Sequence, residues 1–287
     1  MTVLAIGPLL PADVPAALRL STQAGWNQVA TDWLRLIALW PDGCFAGRLD
    51  GRLVATATLA VYPPDLAWVG MMLVDASCRG QGVGGAMMDA VLAAADRAGI
   101  RCVGLDATDL GRPLYVKRGF VDAIGIGRRV LAAADRPADD DDGSAQALRD
   151  EDWTSVLDLD HDAFGGDRSR LLARLRGESG AAACVVRDAS RVIGFGFRRP
   201  GRGAEQIGPV VARSPAEAAG VVRSLAARGD RAGDVLLDSF HGGELGPWLD
   251  RAGFAVSRRL TRMFRGAGAT PHRPHAHTHA AAGLELG

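Results

Sequence analysis

The feature that most constrains the fold is an internal repeat, in which similar segments recur about 135 residues apart. In each half the sequence predicts a hairpin, a buried strand, a helix that ends at a glycine, and a further apolar strand. The halves close with similar stretches, YVKRGF and LDRAGF. A period this long excludes a solenoid of short repeats. The repeat therefore predicts two tandem copies of one α/β (α+β) domain, each a mixed β-sheet flanked by helices.

The predicted segments of the two copies correspond one to one. In the first copy they are a hairpin over 44–60, a strand over 67–74, a helix over 83–98 and a strand over 101–107. In the second copy they are a hairpin over 184–197, a strand over 205–212, a helix over 215–228 and a strand over 234–240. Strand runs and helices of these lengths are typical of compact α/β domains.

The stretch DRPADDDDGS, 135–144, is acidic and predicts an exposed linker. We therefore expect a catalytic domain over 1–134, a linker over 135–145 and a second, degenerate domain over 146–266. The remaining residues, 267–287, carry four histidines at 272, 275, 277 and 279. A metal-binding tract is one interpretation of them. We favour a disordered tail that binds no metal, because the histidine tract HRPHAHTHAAAG contains no acidic or thiol ligand.

The composition limits the classes of partner. The chain has 33 basic and 33 acidic residues, so its formal net charge is zero and nothing favours nucleic acid or anionic lipid. The four cysteines show no metal-ligand spacing, which is typical of buried thiols in a reducing compartment. We expect a cytoplasmic protein with no signal peptide and no membrane span, because no apolar run approaches about 18 residues. The sequence is also compatible with a homodimer.

A glycine cluster, CRGQGVGG at 78–85, follows the first buried strand and precedes a helix. A tight turn needs one glycine, so this cluster indicates close approach of the backbone to a ligand. The spacing Gly80-x-Gly82-x-x-Gly85 fits a dinucleotide fingerprint formally, with Asp106 at the end of the next strand as the ribose-binding acid. That fingerprint normally begins closer to its strand and opens its domain, whereas here other elements precede it.

The same loop also fits R-x-x-G-x-G, through Arg79, Gly82 and Gly84. A buried strand precedes it, and a helix, a strand and Tyr115-x-x-x-Gly119-Phe120 follow. In this order of features the chain resembles the GNAT acyltransferase superfamily over most of residues 1–130. The segments GWNQ, 25–28, and LDATDLGRPLY, 105–115, resemble a subgroup with two GNAT-like domains in tandem.

The resemblance implies acetyl-CoA as cosubstrate and assigns roles to particular residues. The backbone of the loop would hold the pyrophosphate, since successive N–H groups and a helix N-terminus attract anions. The edge of the central strand would pair with the pantetheine arm. Tyr115 would be the general acid that protonates the leaving thiolate. The implied cofactor-binding residues are Met72, Leu73, Val74, Arg79, Gly80, Gln81, Gly82, Val83, Gly84 and Gly85.

The general base is the main departure from the family. Many members use a glutamate near the end of the central strand, but residues 1–134 contain no Glu and no His. An alkylammonium acceptor has a pKa near 10 and must lose a proton before it attacks. Asp106 is the preferred candidate. The alternatives are a water chain or one of Asp32, Asp109, Asp238, His241 and Glu244.

For the acceptor pocket, the sequence suggests Trp26, Asn27, Asp32 and His241 as substrate-binding residues. The second copy has lost the features of the first. When Gly70 is aligned with Gly208, Glu217 falls at Arg79. When Gly119-Phe120 is aligned with Gly253-Phe254, Leu249 falls at Tyr115. We expect this copy to bind no acyl-CoA.

The sequence therefore predicts an acetyl-CoA-dependent N-acetyltransferase that acts on a primary amine of a small molecule in a ternary complex. Two alternatives stay open at this point: an NAD(P)-dependent oxidoreductase, and a non-catalytic small-ligand-binding protein with a vestigial site.

Overall fold

The computed structural model describes residues 3–138, 143–178, 180, 182–189, 191–229, 232–266 and 277–287. The chain forms two compact units. Of the described residues, unit 1 contains 3–122, 263–266 and 285–287, and unit 2 contains those from 123 to 262 and from 277 to 284.

Unit 1 is a mixed sheet with four helices among its described residues. Its strands are β1 (Ala5–Pro8), β2 (Cys44–Leu49), β3 (Arg52–Tyr62), β4 (Leu66–Val74) and β5 (Cys102–Ala107). Its helices are α1 (Val14–Gln23), α2 (Ala30–Leu39), α3 (Val83–Arg97) and α4 (Arg112–Val116). The strands lie in chain order, β1-β2-β3-β4-β5. All neighbours in this order are antiparallel except β4 and β5, which are parallel because α3 connects them.

The core of unit 1 lies between α3 and one face of the sheet. The apolar side of α3 buries Met87, Met88 and Val91. These side chains belong to one cluster with Ala57 of β3 and Val69 of β4. Side chains alternate along a strand, so the neighbours of Ala57 and Val69 face the opposite side of the sheet.

Unit 2 repeats this architecture. Its strands are β6 (Val121–Leu131), β7 (Gln146–Ala147), β8 (Ala182–Asp188), β9 (Arg191–Arg199), β10 (Ala204–Ala212), β11 (Asp234–Phe240), β12 (Ala255–Gly266) and β13 (Thr278–Ala280). Its helices are α5 (Trp153–Phe164), α6 (Ser169–Arg176), α7 (Pro215–Ala227) and α8 (Gly246–Arg251). The strand order is β12-β6-β11-β13-β10-β9-β8-β7. The two copies of mixed sheet and helices confirm the predicted fold class.

The units do not coincide with sequential halves of the chain. Strand β6 follows the first repeat in sequence, yet from Ala123 onward it belongs to unit 2, where it pairs antiparallel with β11. Conversely, the last four residues of β12, 263–266, belong to unit 1. Sequence patterns locate strands but do not say which sheet a terminal strand joins. The domain boundaries predicted from the sequence therefore could not show that β6 and the end of β12 belong to the unit formed by the other repeat.

The predicted disorder of the tail is wrong for residues 277–287. Strand β13 pairs with β10 and β11, and Ala281 N donates to Asp238 O at 3.0 Å. Leu286 is fully buried. The segment AAAGLELG consists mostly of small and apolar residues without a helix or strand period. Its conformation is therefore set by burial against other elements, which the sequence pattern does not show. Residues 267–276, which include His272 and His275, lie outside the described residues.

The sequence also made predictions about the cysteines and about membrane-spanning helices. The four cysteines are free and buried, as predicted. Burial raises the pKa of Cys44 to about 12 and that of Cys102 to about 11, so neither is a ready nucleophile. In the described part of the chain, no helix combines the length and the hydropathy that crossing a membrane requires.

Candidate active site

The glycine cluster forms an open loop between β4 and α3 in unit 1. Gly80 and Gly82 adopt left-handed backbone conformations, with φ of 74° and 82°. A Cβ built on either would have no atom of the described chain within 4 Å, apart from the adjoining residues. The loop is therefore open on the side where these side chains would stand. Its glycines leave a stretch of backbone that a large ligand can approach.

The N-terminus of α3 points its own donors into this loop. The first N–H groups of a helix have no intrahelical partners. The N-cap here is Gly82, which has no side chain to bond them. Two side chains hold the loop in place: Arg79 Nε donates to Val74 O at 3.1 Å, and Gln81 Nε2 donates to Ser77 O at 3.0 Å. Backbone N–H groups at a helix N-terminus, next to open space, form an anion-binding site.

Beside the loop, β4 and β5 separate. Their pairing ends at Val69 and Leu105, so the following residues of β4 have no partner on β5. At this point β4 bulges: Met71 has a φ of 46°, and its carbonyl accepts a hydrogen bond from Thr56 Oγ1 at 2.8 Å. The bulge and the missing pairs leave backbone groups available between the two strands. Met72, Leu73 and Val74, to which the family resemblance assigns the pantetheine arm, lie on the stretch that is unpaired towards β5, and their role in binding stays a prediction.

Tyr115 lies on α4, which follows β5. Its ring is buried and packs edge-on against Phe120, with ring centroids 6.1 Å apart. Its hydroxyl forms no hydrogen bond to any described residue. Burial raises the pKa of Tyr115 to about 12, so the phenol keeps its proton at neutral pH. A protonated, unbonded hydroxyl is suited to donate to a group that gains negative charge.

Arg118 joins α4 to α3, a contact that sequence reasoning missed. Its guanidinium forms a bidentate pair with Asp89, at 2.7 Å and 3.0 Å, and donates to Gly85 O at 3.0 Å. Asp89 and Gly85 both belong to α3. The pair therefore ties the helix that carries Tyr115 to the helix that begins at the glycine loop. The only sequence signal is an acid in the middle of α3 and an arginine beside the Gly119-Phe120 motif.

Among the other predicted site residues of unit 1, Asp106 is half-buried on β5, one residue beyond the last pair with β4. Trp26 and Asn27 are half-buried in the connection before α2. Asp32 is buried and acts locally, since its carboxylate accepts from Val29 N at 2.8 Å and from Arg35 at 2.9 Å. These contacts cap α2. A substrate role for Asp32 stays a prediction.

His241 belongs to unit 2, where its ring packs over Gly125 and Gly127 of β6. Burial lowers its pKa, with smaller effects of Arg259 and Arg129, so the imidazole is neutral at neutral pH. Its predicted role in binding substrate stays a prediction.

The corresponding region of unit 2 is closed by the protein itself. The first turn of α7 carries a capping box, in which Ser214 N donates to Glu217 at 2.7 Å and Glu217 N donates to Ser214 Oγ at 3.3 Å. Between β10 and β11 lies β13, whose Ala280 pairs with Val210 on one side and Ser239 on the other. In unit 2 a strand from the tail therefore fills the gap that is open in unit 1.

The described residues include no group of three or more His, Cys, Asp or Glu side chains that could hold a metal ion. The polar groups next to the glycine loop and the free edge of β4 include the helix N-terminus, the backbone of β4, Tyr115 and Asp106. These groups suit binding of an anionic carrier and proton transfer.

Comparison with known proteins gives the class. The model of the Acetyltransferase (GNAT) family matches residues 17–120, and that of the Acetyltransferase (GNAT) domain matches residues 156–277. The chain is 30% identical over 218 residues to the uncharacterized N-acetyltransferase YitH of Bacillus subtilis (strain 168), covering 75% of each protein. It is 26% identical over 271 residues to the holothin acyltransferase of Pseudoalteromonas sp. (strain SANK 73390), covering 91% of this chain and 87% of the relative.

The fold has a solved counterpart. The crystal structure of a proposed acetyltransferase from Pyrococcus horikoshii superposes with a TM-score of 0.82 at 22% identity, over 99% of this chain and 96% of the other. Together, fold, site and relatives define an enzyme of the acetyltransferase class. The chain belongs to the GNAT acetyltransferase family and carries two GNAT domains in tandem. This membership favours the R-x-x-G-x-G interpretation of the glycine loop over the dinucleotide and binding-protein alternatives.

Proposed function

We propose that unit 1 transfers the acetyl group of acetyl-CoA to a primary amine of a small molecule. The observation that carries this proposal is the open glycine loop at the N-terminus of α3, beside the point where β4 and β5 separate. Coenzyme A is an anionic carrier with a long amide-bearing arm. The loop offers N–H donors for its pyrophosphate, and the unpaired edge of β4 offers partners for its amides.

Each residue of the loop has a role in this proposal. The N–H groups from Arg79 to Gly85 hold the pyrophosphate, and Gly80 and Gly82 keep its approach free of side chains. Met72, Leu73 and Val74 present backbone groups to the pantetheine arm. Acetyl-CoA supplies the thioester whose acyl carbon is attacked. A backbone N–H near the β4 bulge polarises the carbonyl of that thioester.

Tyr115 supplies the proton for the leaving sulfur. A thiol has a pKa near 8.5, so a phenol with a pKa of about 12 does not give up its proton to a thiolate spontaneously. The proton left on the nitrogen of the newly formed amide is far more acidic. When this proton passes to the tyrosine oxygen, the complete exchange becomes favourable. Tyr115 thus acts as a relay, and positioning of the two substrates in one complex contributes much of the rate.

For the acceptor, we propose a small-molecule amine bound in unit 1 near Trp26 and Asn27, and Asp106 is the candidate general base from the sequence. The name of the holothin acyltransferase, which matches 91% of this chain, supports a small-molecule acceptor. We propose a protein that works in the cytoplasm without nucleic acid or membrane partners, and a homodimer is compatible with this function.

We further propose that each chain binds one acetyl-CoA. In unit 2 the capping box satisfies the first turn of α7, and β13 pairs with the edges of β10 and β11 that a pantetheine arm would need. Leu249, which is fully buried, lies where the alignment places the counterpart of Tyr115. The described residues of unit 2 thus offer no anion site, free strand edge or general acid at the positions that correspond to those of unit 1.

Thermal unfolding with acetyl-CoA, CoA, NADH and NADPH tests the proposal. A ligand at about 100 times its Kd stabilises by roughly 2.7 kcal/mol, which raises Tm by several degrees. We expect a shift with acetyl-CoA and CoA and none with the nicotinamides. A shift with NADH or NADPH alone contradicts the proposal.

A further inference from the structure

The end of the chain brings a buried carboxylate into unit 1. Glu285 is only 3% exposed and packs against Gly70 of β4. A Cβ on Gly70 would lie 2.7 Å from both the Cα and the Cβ of Glu285, so only glycine allows this approach. The next residue fixes the segment, since Tyr62 Oη donates to Leu286 O at 2.7 Å. The position of Glu285 is therefore built into the sheet.

Gly70 marks the point where β4 and β5 separate. It follows Val69, the last β4 residue paired with β5, and it precedes the bulge at Met71. Val69 faces the core formed with α3, so Gly70 and the glutamate packed on it lie on the other face of the sheet. Glu285 is thus next to the backbone stretch assigned to the thioester arm, on the face away from α3.

The same face carries Gln28, which directly follows Trp26 and Asn27, two residues that the sequence assigned to the acceptor pocket. Gln28 Nε2 donates to Glu285 Oε2 at 3.2 Å, and both side chains are buried. Gln28 Oε1 and Thr58 Oγ1 are also buried and have no hydrogen-bond partner among the described residues. Thr58 lies directly opposite Gly70 on β3. Buried polar atoms without partners are rare in folded proteins, so this cluster indicates a polar ligand.

On the basis of the proposed function, we infer that Glu285 binds the acceptor as its ammonium form and removes a proton from it. Residues 1–134 contain no glutamate and no histidine, and Glu285 is the one glutamate among the described residues of unit 1. The tail therefore supplies the glutamate that the first repeat lacks. Gln28 is a positioning residue that orients this carboxylate.

The protons and electrons balance in this scheme. The ammonium gives one proton to Glu285, and the nitrogen lone pair forms the C–N bond. The C–S bond breaks, and sulfur keeps the electron pair and takes the proton of Tyr115. The amide nitrogen returns a proton to the Tyr115 oxygen, and Glu285 releases its proton to solvent. The products are the amide, CoA thiol and one proton.

The test compares Glu285→Gln, Glu285→Asp and Asp106→Asn with the wild type at neutral pH. The control is Glu151→Gln, the same chemical change at an exposed residue of unit 2. Two acceptors are used: benzylamine, which is protonated under these conditions, and aniline, which is not. Release of CoA thiol measures the rate, and the thermal shift with acetyl-CoA checks the fold and the coenzyme site independently.

We expect every variant to keep the acetyl-CoA shift. With benzylamine, E285Q should lose about 100-fold or more in kcat/KM, as expected for loss of a general base. Its rate with aniline should stay close to that of the wild type, and E285D should recover part of the benzylamine activity. The control should match the wild type with both amines.

Four results overturn the inference. They are an equal loss with both amines, which shows a structural role; no loss in E285Q; the benzylamine-specific loss in D106N instead; and a wild type that uses aniline but no benzylamine. A wild type that shows neither an acetyl-CoA shift nor transfer refutes the proposed function itself.

Discussion

Replacing Gly82 with alanine separates ligand approach from backbone strain. Gly82 has a φ of 82°, and no atom of the described chain other than its neighbours lies within 4 Å of the added Cβ. The protein itself therefore has room for the methyl group. The matched control is Gly99→Ala at the other end of α3, where φ is 70° and the added Cβ is equally free.

The two variants should lose the same amount of stability, and only Gly82→Ala should also weaken acetyl-CoA binding. A left-handed non-glycine residue costs roughly 1–2 kcal/mol, so each variant should lose stability to the same extent. At about 2–4 °C per kcal/mol, Tm should fall by roughly 2–8 °C in both. The new methyl at residue 82 stands where the pyrophosphate approaches, whereas the methyl at residue 99 is at the far end of the helix.

Thermal unfolding at one fixed acetyl-CoA concentration measures the difference. If the wild type is at about 100 Kd, the ligand stabilises it and G99A by roughly 2.7 kcal/mol. Tenfold weaker binding in G82A reduces this to about 1.4 kcal/mol, and hundredfold weaker binding to about 0.4 kcal/mol. An acetyl-CoA shift in G82A equal to that in G99A would refute the assignment of the loop.

Three further predictions concern other parts of the structure. Tyr115→Phe should lower kcat by about 100-fold while the acetyl-CoA thermal shift is unchanged, and a kcat like that of the wild type would contradict the relay. Leu286→Ala removes a fully buried side chain and should cost about 2–5 kcal/mol in urea unfolding, whereas a cost near zero would show that the tail is not packed. Burial lowers the pKa of His279, so the unfolded chain binds a proton that the folded chain does not. Stability should therefore fall as pH drops below about 6.5, and His279→Gln should reduce that slope in unfolding titrations at pH 5–7.

Much of the fold follows from local patterns. The hairpin at Asp50-Gly51 and the helix that ends at Gly99 depend on short-range turn and capping chemistry, so the sequence predicts them well. The glycine loop has the same character, because Gly80 and Gly82 adopt the left-handed conformations for which glycine is selected.

The sequence could not predict contacts between segments that are far apart in the chain. The tail from 277 to 287 has small residues and no periodic pattern, yet β13 fills the gap in unit 2 and Glu285 reaches Gly70 in unit 1. The pairing of Arg118 with Asp89 is likewise invisible from spacing, because the two residues lie on different helices. A sequence pattern describes one helix or strand at a time. The positions of β13, Glu285 and Arg118 depend on packing between distant segments.

The central claim is that unit 1 holds acetyl-CoA and unit 2 does not. Calorimetric titration of the whole chain with acetyl-CoA measures this directly. The account predicts one molecule bound per chain in the wild type, with binding weakened at least tenfold in G82A and unchanged in G99A. Two equivalent sites per chain, or one site that G82A leaves intact, would contradict it.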